Sequence, residues 1–218
     1  MSVTPILLDA DAFRCNPYIR SITVPTGRIG DFTLTTATYE PGEILEYDMP
    51  DFTKDPLEHR CGYFREPVTF PGIYEGVVPW MSVCPSEINS MRRHIEKARG
   101  RVLVLGLGLG YYPYMISLKK EVEHIDIVEL QPEIITIFRE HLLPQFEEGD
   151  KMDLIEADAF SYVGALTGGE YDFCFADIWE NECDGAWACR KLRDAGQRLE
   201  GTEFSYWIDD AIEWFLRQ

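Results

Sequence analysis

The sequence predicts an α/β fold, in which a mostly parallel β-sheet carries helices on both faces and follows a small β-rich unit. Two observations lead to this prediction. From residue 101 onward, short apolar runs alternate with longer amphipathic runs, which is the pattern of successive βα units. Residues 20–48 instead contain short alternating stretches separated by glycine-containing turns, which favours antiparallel strands. We therefore expect a β-rich extension over residues 1–79 and an α/β domain over residues 80–218.

Around the predicted β unit, two further segments are assigned from their composition and periodicity. Residues 49–72 are rich in proline, aspartate and glycine and are predicted to be loop. Residues 85–98 are predicted to be a helix, because apolar residues recur at spacings of three and four and Gly100 follows as a stop. The apolar positions of this helix are Ile88, Met91, Ile95 and Ala98.

The α/β domain is predicted as a regular alternation of strands and helices. RVLVLG, at residues 101–106, is a continuous apolar run ended by glycine, as expected for a strand buried on both faces. Pro113 and Pro132 stand where a first helical residue is expected, because that position leaves its N–H unpaired. The strands are predicted at 101–106, 124–130, 152–157, 171–178 and 203–207, and the helices at 113–120, 132–146, 159–166, 186–199 and in a terminal segment that includes 208–215.

Charge and hydropathy exclude several classes of partner. The formal net charge is -18, so the chain lacks the basic face with which proteins neutralise nucleic-acid phosphates or anionic membranes. There is no run of about 18 apolar residues, and the N-terminus lacks the basic start of a secretory signal. We expect a cytoplasmic protein with a small-molecule substrate and neither a nucleic-acid nor a membrane partner.

Cysteine and histidine spacing indicates neither a disulfide framework nor a metal. The 6 cysteines contain no CxxC pair, so reduced thiols are expected. The 4 histidines show no HxxxH or HExxH spacing, and no metal site is expected.

A glycine motif follows the first predicted strand of the domain. In VLVLGLGLGYYP, Gly106, Gly108 and Gly110 lack side chains where a ligand could approach the backbone at the start of a helix. Glu129 ends the next predicted strand, where an acid can accept both hydroxyls of a ribose. The spacing is GxGxG rather than the GxGxxG of dinucleotide sites, and no GxxxxGK[ST] motif is present.

With these residues the chain resembles the S-adenosylmethionine-dependent methyltransferases of Rossmann-like fold, and within them the spermidine synthase-like branch. The resemblance covers about residues 80–180. It implies S-adenosyl-L-methionine as the cofactor and Asp177 as the acid beside the sulfonium and the substrate, hence the candidate catalytic residue. The cofactor-binding residues that it implies are Gly106, Leu107, Gly108 and Gly110 for the methionine part, Glu129 and Leu130 for the ribose, Asp158 and Ala159 for the adenine, and Asp177 itself.

The three acids also have ordinary structural interpretations. Glu129 could be a helix-start residue before Pro132, Asp158 could cap the helix at Ala159, and Asp177 could be a loop acid. Their joint occurrence at predicted strand ends favours a ligand site, because open α/β sheets bind ligands at the carboxyl ends of their strands.

The same resemblance leaves three functions open. Methyl transfer is first, with Asp177 accepting a proton or orienting a cationic amine. Aminopropyl transfer is second: the chain has GLGLG and DIWE where those enzymes usually carry GGGDG-like and DSSD-like segments, although the acids Glu180, Glu182 and Asp184 would suit a polyamine. A binding module without turnover is third, because the C-terminus leaves no room for the usual closing strand pair. The open edge could instead be covered by a second copy in a homodimer.

Several aromatic and polar residues are candidates for the substrate pocket, with ordinary packing of the N-terminal unit as the alternative. They are Trp80, Met81, Glu87, Tyr111, Tyr112 and Trp179.

Overall fold

The computed structural model describes residues 4–218 and divides into two compact units, one that ends at Arg92 and one over Arg93–Gln218. The first unit contains two small sheets and three helices, the third of which continues across this division. The first sheet has the order β1-β5-β4 and the second the order β2-β3-β6-β7. These elements are β1 (Ile6–Leu7), α1 (Ala10–Arg14), α2 (Pro17–Ser21), β2 (Gly27–Ile29), β3 (Phe32–Tyr39), β4 (Leu45–Asp51), β5 (Glu58–Tyr63), β6 (Val68–Glu75), β7 (Val78–Ser82) and α3 (Pro85–Lys97).

The prediction that residues 49–72 are loop is wrong, since this segment contains the end of β4, all of β5 and most of β6. Two of the four prolines in this segment, Pro50 and Pro71, lie inside strands. Pro71 stands opposite Thr36 in β6, where it has no N–H to donate but its carbonyl accepts the Val83 N–H at 2.9 Å. The pairing of β4 with β5 shifts register twice, which is where a strand containing Pro50 can be accommodated.

The predicted boundary after residue 79 also differs from the division in the structure. Trp80 and Met81 lie in β7, which pairs antiparallel with β6 of the first unit. No local sequence pattern indicates this pairing with β6, and residues 80 and 81 were therefore assigned to the α/β domain that follows them along the chain. A buried aromatic and aliphatic cluster forms the core of this unit and consists of Ala10, Phe13, Leu45, Phe64, Val68, Phe70 and Cys84.

The second unit has the α/β architecture that the sequence predicts. Its sheet has five strands in the order β10-β9-β8-β11-β12, and every pair is parallel. Helices lie on both sides of it. The strands are β8 (Gly100–Leu105), β9 (Val122–Glu129), β10 (Met152–Glu156), β11 (Phe173–Ala176) and β12 (Glu203–Tyr206), and the helices are α4 (Tyr111–Ser117), α5 (Pro132–Ile137), α6 (Ala159–Ala165), α7 (Glu182–Gly196) and α8 (Asp209–Phe215).

The central strands form the core because they have neighbours on both edges and helices on both faces. Residues 102–105 of β8 and 173–176 of β11 are at most 1% exposed. A strand covered in this way has no polar face to alternate with, which explains its continuous apolar sequence. None of the described helices is both long and apolar enough to cross a bilayer.

Helix ends differ from the prediction for local reasons. α4 begins two residues before Pro113, directly after Gly110, whose φ is 74°. The predicted helix over 132–146 is α-helical only to Ile137 and continues as a π-turn and a 3₁₀ turn; Pro144, in the latter, has no N–H for an α-helical bond. α7 begins at Glu182 rather than at residue 186, because Asn181 starts it with a capping box.

The capping box of α7 gives a stability prediction. Asp184 accepts the backbone N–H groups of Glu180 and Asn181, both at 3.0 Å, while the Asn181 side chain accepts the Cys183 N–H at 2.9 Å. Asp184→Ala removes two of these bonds and is expected to lower the free energy of unfolding by about 1 kcal/mol in urea titrations. Glu182→Ala, which removes a first-turn acid without a capping bond, should cost only a few tenths of a kcal/mol; equal losses for the two variants would contradict the assignment.

Candidate functional site

The carboxyl ends of the parallel strands bring the predicted cofactor residues to one edge of the sheet. The chain runs from β8 outward through β9 and β10, then returns to place β11 on the other side of β8. Adjacent strands whose connections leave in opposite directions form a crevice where ligands bind in open α/β sheets. Leu105 and Ala176 are paired in register, so Gly106 and Asp177 follow the two strand ends at this reversal point.

The glycine loop is shaped by its backbone and by close packing. Gly106, Gly108 and Gly110 have φ values of 95°, 52° and 74°, a region that residues with a Cβ rarely adopt. A Cβ at Gly106 would overlap the carbonyl oxygen of Asp177, and one at Gly110 would overlap the Phe138 ring. From the sequence, these glycines were predicted to leave room for a ligand at the backbone. In the structure, close packing also requires glycine at Gly106 and Gly110.

Glu129 is the residue that fixes this loop. Its side chain is almost fully buried, and its carboxylate accepts three backbone N–H groups. Oε2 accepts the Leu107 N–H at 3.0 Å, while Oε1 accepts those of Leu130 at 2.7 Å and Gln131 at 2.8 Å. The carboxylate therefore connects the glycine loop to the start of α5, which agrees with the helix-start interpretation. Oε2 carries one bond and keeps acceptor capacity for a ligand hydroxyl.

Asp158 caps α6 and is held ionised. Its Oδ1 accepts the Ser161 N–H at 2.8 Å and the Ser161 hydroxyl at 2.7 Å. The hydroxyl bond, followed by the backbone bond, lowers the pKa of this carboxyl below its usual value. Oδ2 has no hydrogen-bond partner within residues 4–218, so this oxygen can accept from a ligand. Ala159 is the first residue of α6, where a backbone N–H has no partner inside the helix.

Asp177 lies directly after β11 and is partly buried, with its N–H bound to the Leu105 carbonyl at 2.9 Å.

Trp179, two residues after Asp177, is buried at 7% exposure. Its ring lies 6.4 Å from that of Tyr206 between centroids, and it packs so closely on Gly185 that a Cβ there would overlap it. Its Nε1 is buried and has no hydrogen-bond partner among the described residues. A buried donor of this kind is unusual, because leaving it unpaired costs about 1 to 3 kcal/mol.

The two tyrosines after the glycines belong to the core rather than to an open pocket. Tyr111 and Tyr112 are 2% and 3% exposed. The Tyr112 ring stacks on Phe175 with 3.9 Å between centroids, and its hydroxyl donates to the His94 carbonyl at 3.1 Å. Tyr112 is therefore buried among residues of the second unit itself. Of the two leucines assigned to the cofactor, Leu107 is buried, whereas Leu130 is 57% exposed next to Glu129.

Three pocket candidates, Trp80, Met81 and Glu87, belong to the first unit. Trp80 packs edge-on against Phe32 with 5.2 Å between centroids, and Met81 pairs with Ile73 in the sheet. Glu87 lies in the first turn of α3, and burial raises its pKa from 4.5 to about 7.

An aromatic pair close to Asp158 in the chain, with one exposed member, was not predicted. Phe160 of α6 and Trp187 of α7 meet edge-on at 5.2 Å, and the Lys191 Nζ lies 3.9 Å from the Phe160 centroid and 4.9 Å from that of Trp187. Trp187 is 61% exposed. The i, i+4 spacing of Trp187 and Lys191 was visible in the sequence, but their approach to α6 depends on tertiary packing.

Comparison with known proteins adds no functional assignment. No protein family model matches the chain, and no curated protein matches it. A solved precorrin-8w decarboxylase from Methanobacterium thermoautotrophicum aligns over 51% of this chain and 56% of its own, with 18% identity and a TM-score of 0.39. The chain therefore spans little more than half the length of that protein, and a likeness of this size carries no argument about function.

The contact between Gly106 and Asp177 gives a mutational test. Gly106→Ala introduces a Cβ against a backbone carbonyl at a φ that alanine disfavours, and neither backbone can move without disturbing the pairing of β8 with β11. We expect a loss of about 3 kcal/mol or more in the free energy of unfolding.

Gly164→Ala is the matched control for this substitution, because it lies in α6 with open space around its Cα. It is expected to be neutral or to stabilise by up to about 1 kcal/mol. If urea unfolding found the two variants equally stable, the close approach of the two strand ends would be refuted.

The raised pKa of Glu87 predicts a pH-dependent stability. The folded state favours the neutral carboxyl, so its ionisation destabilises the protein increasingly as pH rises from about 4.5 to 7 and by a constant amount above that. Glu87→Gln cannot ionise. It should exceed the wild type by about 2 to 3 kcal/mol at pH 8 and by less than about 1 kcal/mol at pH 5. Glu96→Gln, on the exposed face of α3, is the matched control in the same urea titrations. Equal pH dependence of stability in the two variants would contradict the assignment to Glu87.

Proposed function

We propose that the chain is an S-adenosylmethionine-dependent methyltransferase of Rossmann-like fold that acts on a small molecule or a side-chain nucleophile. One observation carries the proposal: a glycine loop follows the central strand at the reversal point of a parallel sheet, and three acids stand at the carboxyl ends of other strands of that sheet. These acids are Glu129, the last residue of β9, Asp158, two residues after β10, and Asp177, directly after β11. Nucleotide-containing ligands bind at this position in open α/β sheets.

The free acceptor atoms at this edge fit an adenosyl group. Oε2 of Glu129 retains capacity for a ribose hydroxyl while it holds the loop in place. Oδ2 of Asp158 can accept from an exocyclic amino group, and the Ala159 N–H can donate to a ring nitrogen of the same base. Leu130, 57% exposed beside Glu129, offers an apolar surface for the base.

In the proposed reaction the cofactor supplies a methyl group already activated by the sulfonium, so the protein has to position the nucleophile and exclude water. Asp177 is the acid nearest the reversal point. It either accepts the proton of an amine or hydroxyl nucleophile or orients a cationic amine. The net charge of -18 favours cationic over anionic methyl acceptors. We also propose that the protein is cytoplasmic.

Aminopropyl transfer from decarboxylated S-adenosylmethionine is the second candidate function. Its support was the acidic segment after Asp177, which would suit a polyamine. In the structure Asp184 is used to cap α7, and Glu182 is in the first turn of that helix. A binding module without turnover is the third candidate. Of these alternatives, the aminopropyl one loses part of its support, because one of its three acids already has two backbone partners.

Ligand binding separates the three functions. Calorimetry is expected to give binding of S-adenosylmethionine and S-adenosylhomocysteine that exceeds binding of the decarboxylated cofactor. Preference for the decarboxylated form would replace methyl transfer by aminopropyl transfer. Binding of the cofactor without transfer to any amine or hydroxyl acceptor would favour the binding module, and no binding of any form would reject the cofactor site.

Asp158→Asn tests the proposed base contact without loss of the cap. Asparagine is as good an N-cap as aspartate, so the free energy of unfolding should change by less than about 0.5 kcal/mol. Its amide NH₂ replaces the acceptor Oδ2, and affinity for S-adenosylhomocysteine should fall about tenfold or more. Asp194→Asn, an exposed change on α7, should leave affinity unaltered.

Glu129→Ala is expected to weaken binding by about 1 to 3 kcal/mol through loss of charge-assisted hydrogen bonds. The substitution also leaves three backbone N–H groups without their acceptor. The loss of ligand affinity must therefore be compared with the change in the free energy of unfolding of the same variant. Unchanged affinity in both Asp158→Asn and Glu129→Ala would contradict the assignment of this edge.

A further inference from the structure

We propose that His124, Asp126 and Asp153 form a binding site for a divalent transition-metal ion of the zinc class. The three offer an imidazole nitrogen and two carboxylate oxygens that all lie within 4.8 Å of one another. No metal was expected from the sequence, because none of the histidines stand at the HxxxH or HExxH spacing of helical metal sites. In the structure these ligands lie on strands instead. His124 and Asp126 are two positions apart and therefore share one face of β9, and Asp153 of β10 is paired in register with Asp126.

Two of the three distances between the candidate ligand atoms are close to those of a tetrahedral site, and the third, between Asp126 and Asp153, is within 4.8 Å. His124 Nε2 lies 3.0 Å from Asp126 Oδ1 and 3.3 Å from Asp153 Oδ2. With metal–ligand bonds of about 2.0 Å, two ligands of a tetrahedral ion are about 3.3 Å apart. The three side chains therefore need little movement to bind an ion. Imidazole and carboxylate ligands are also the set that suits zinc among the common divalent metals.

Asp126 is oriented for this role by groups outside the cluster. It is buried at 7% exposure, and its Oδ2 accepts from Arg101 at 3.1 Å, which leaves Oδ1 directed at His124. The Arg101 guanidinium also lies over the Tyr171 ring, 6.0 Å from its centroid, and the Tyr171 hydroxyl lies 2.8 Å from that of Tyr162. Hydrogen bonds such as that from Arg101 fix metal-ligating carboxylates in known sites.

Charge and access also fit a cation. The cluster contains two carboxylates, and Arg101 pairs with only one of them, Asp126, so with a neutral imidazole a residual negative charge remains that a divalent ion would offset. The Asp153 side chain is 73% exposed, which leaves an approach from solvent and room for a water as fourth ligand. The ion would link β9 to β10, which is an edge strand with one neighbour.

The site lies away from the proposed cofactor edge. Asp126 precedes Glu129 by three positions on β9, and His124 by five, toward the amino end of the strand. The inference is therefore independent of the proposed function, and we assign the ion a structural role.

The alternative is that a protonated His124 pairs with the two carboxylates and no metal binds. The two cases are distinguished by titrating chelator-treated full chain with Zn²⁺ in a calorimeter, with thermal unfolding measured in parallel. We expect one equivalent of zinc to bind and to raise the midpoint of unfolding. Asp153→Asn, at an exposed position, and His124→Gln should each weaken binding about tenfold or more.

His59→Gln is the matched control. His59 pairs with a single carboxylate, that of Glu46 at 2.6 Å, so this variant should bind zinc as the wild type does. Substitution of Co²⁺ should give the visible bands of a tetrahedral nitrogen and oxygen site without a thiolate charge-transfer band. The proposal would be overturned if zinc did not bind stoichiometrically, or if binding were unchanged in both Asp153→Asn and His124→Gln. A thiolate charge-transfer band would also overturn it, because the ion would then be bound by cysteines.

Discussion

The buried carboxylate of Glu129 is the interaction on which the functional edge of the second unit depends. It accepts N–H groups from the glycine loop and from the start of α5, so one side chain sets the position of two segments that follow different strands. A buried carboxyl group is tolerated only when hydrogen-bond partners of this kind satisfy its oxygens. The loop in turn must carry glycine at residue 106, because the end of β11 approaches too closely for any Cβ.

This arrangement assigns two tasks to the same acids. Glu129 and Asp158 are held by backbone and hydroxyl donors of the protein, and each keeps one oxygen with capacity for a ligand. Acids fixed in this way lose little conformational entropy when a ligand binds, which raises affinity for a given number of contacts. A structural interpretation of these residues and a ligand-binding one are therefore compatible, although the sequence analysis treats them as alternatives.

The sequence was most informative where one local property determines the structure. Strands covered on both faces must be apolar throughout, so β8 and β11 could be predicted from short runs of residues. It was least informative where distant residues decide. The strands within 49–72 depend on register and bulges that accommodate proline, and Tyr112 is buried by a ring, that of Phe175, far away in sequence. The grouping of Asp126 with Asp153 likewise follows from strand pairing, which no local spacing encodes.

The most direct test of the account is a crystal structure of the chain grown with saturating S-adenosylhomocysteine. The account predicts the ligand over residues 106–110, with a ribose hydroxyl on Oε2 of Glu129, the adenine amino group on Oδ2 of Asp158, and the sulfur nearest Asp177. Ligand bound at another face of the sheet, or an edge that stays empty while the same crystals diffract well at saturating ligand, would contradict it.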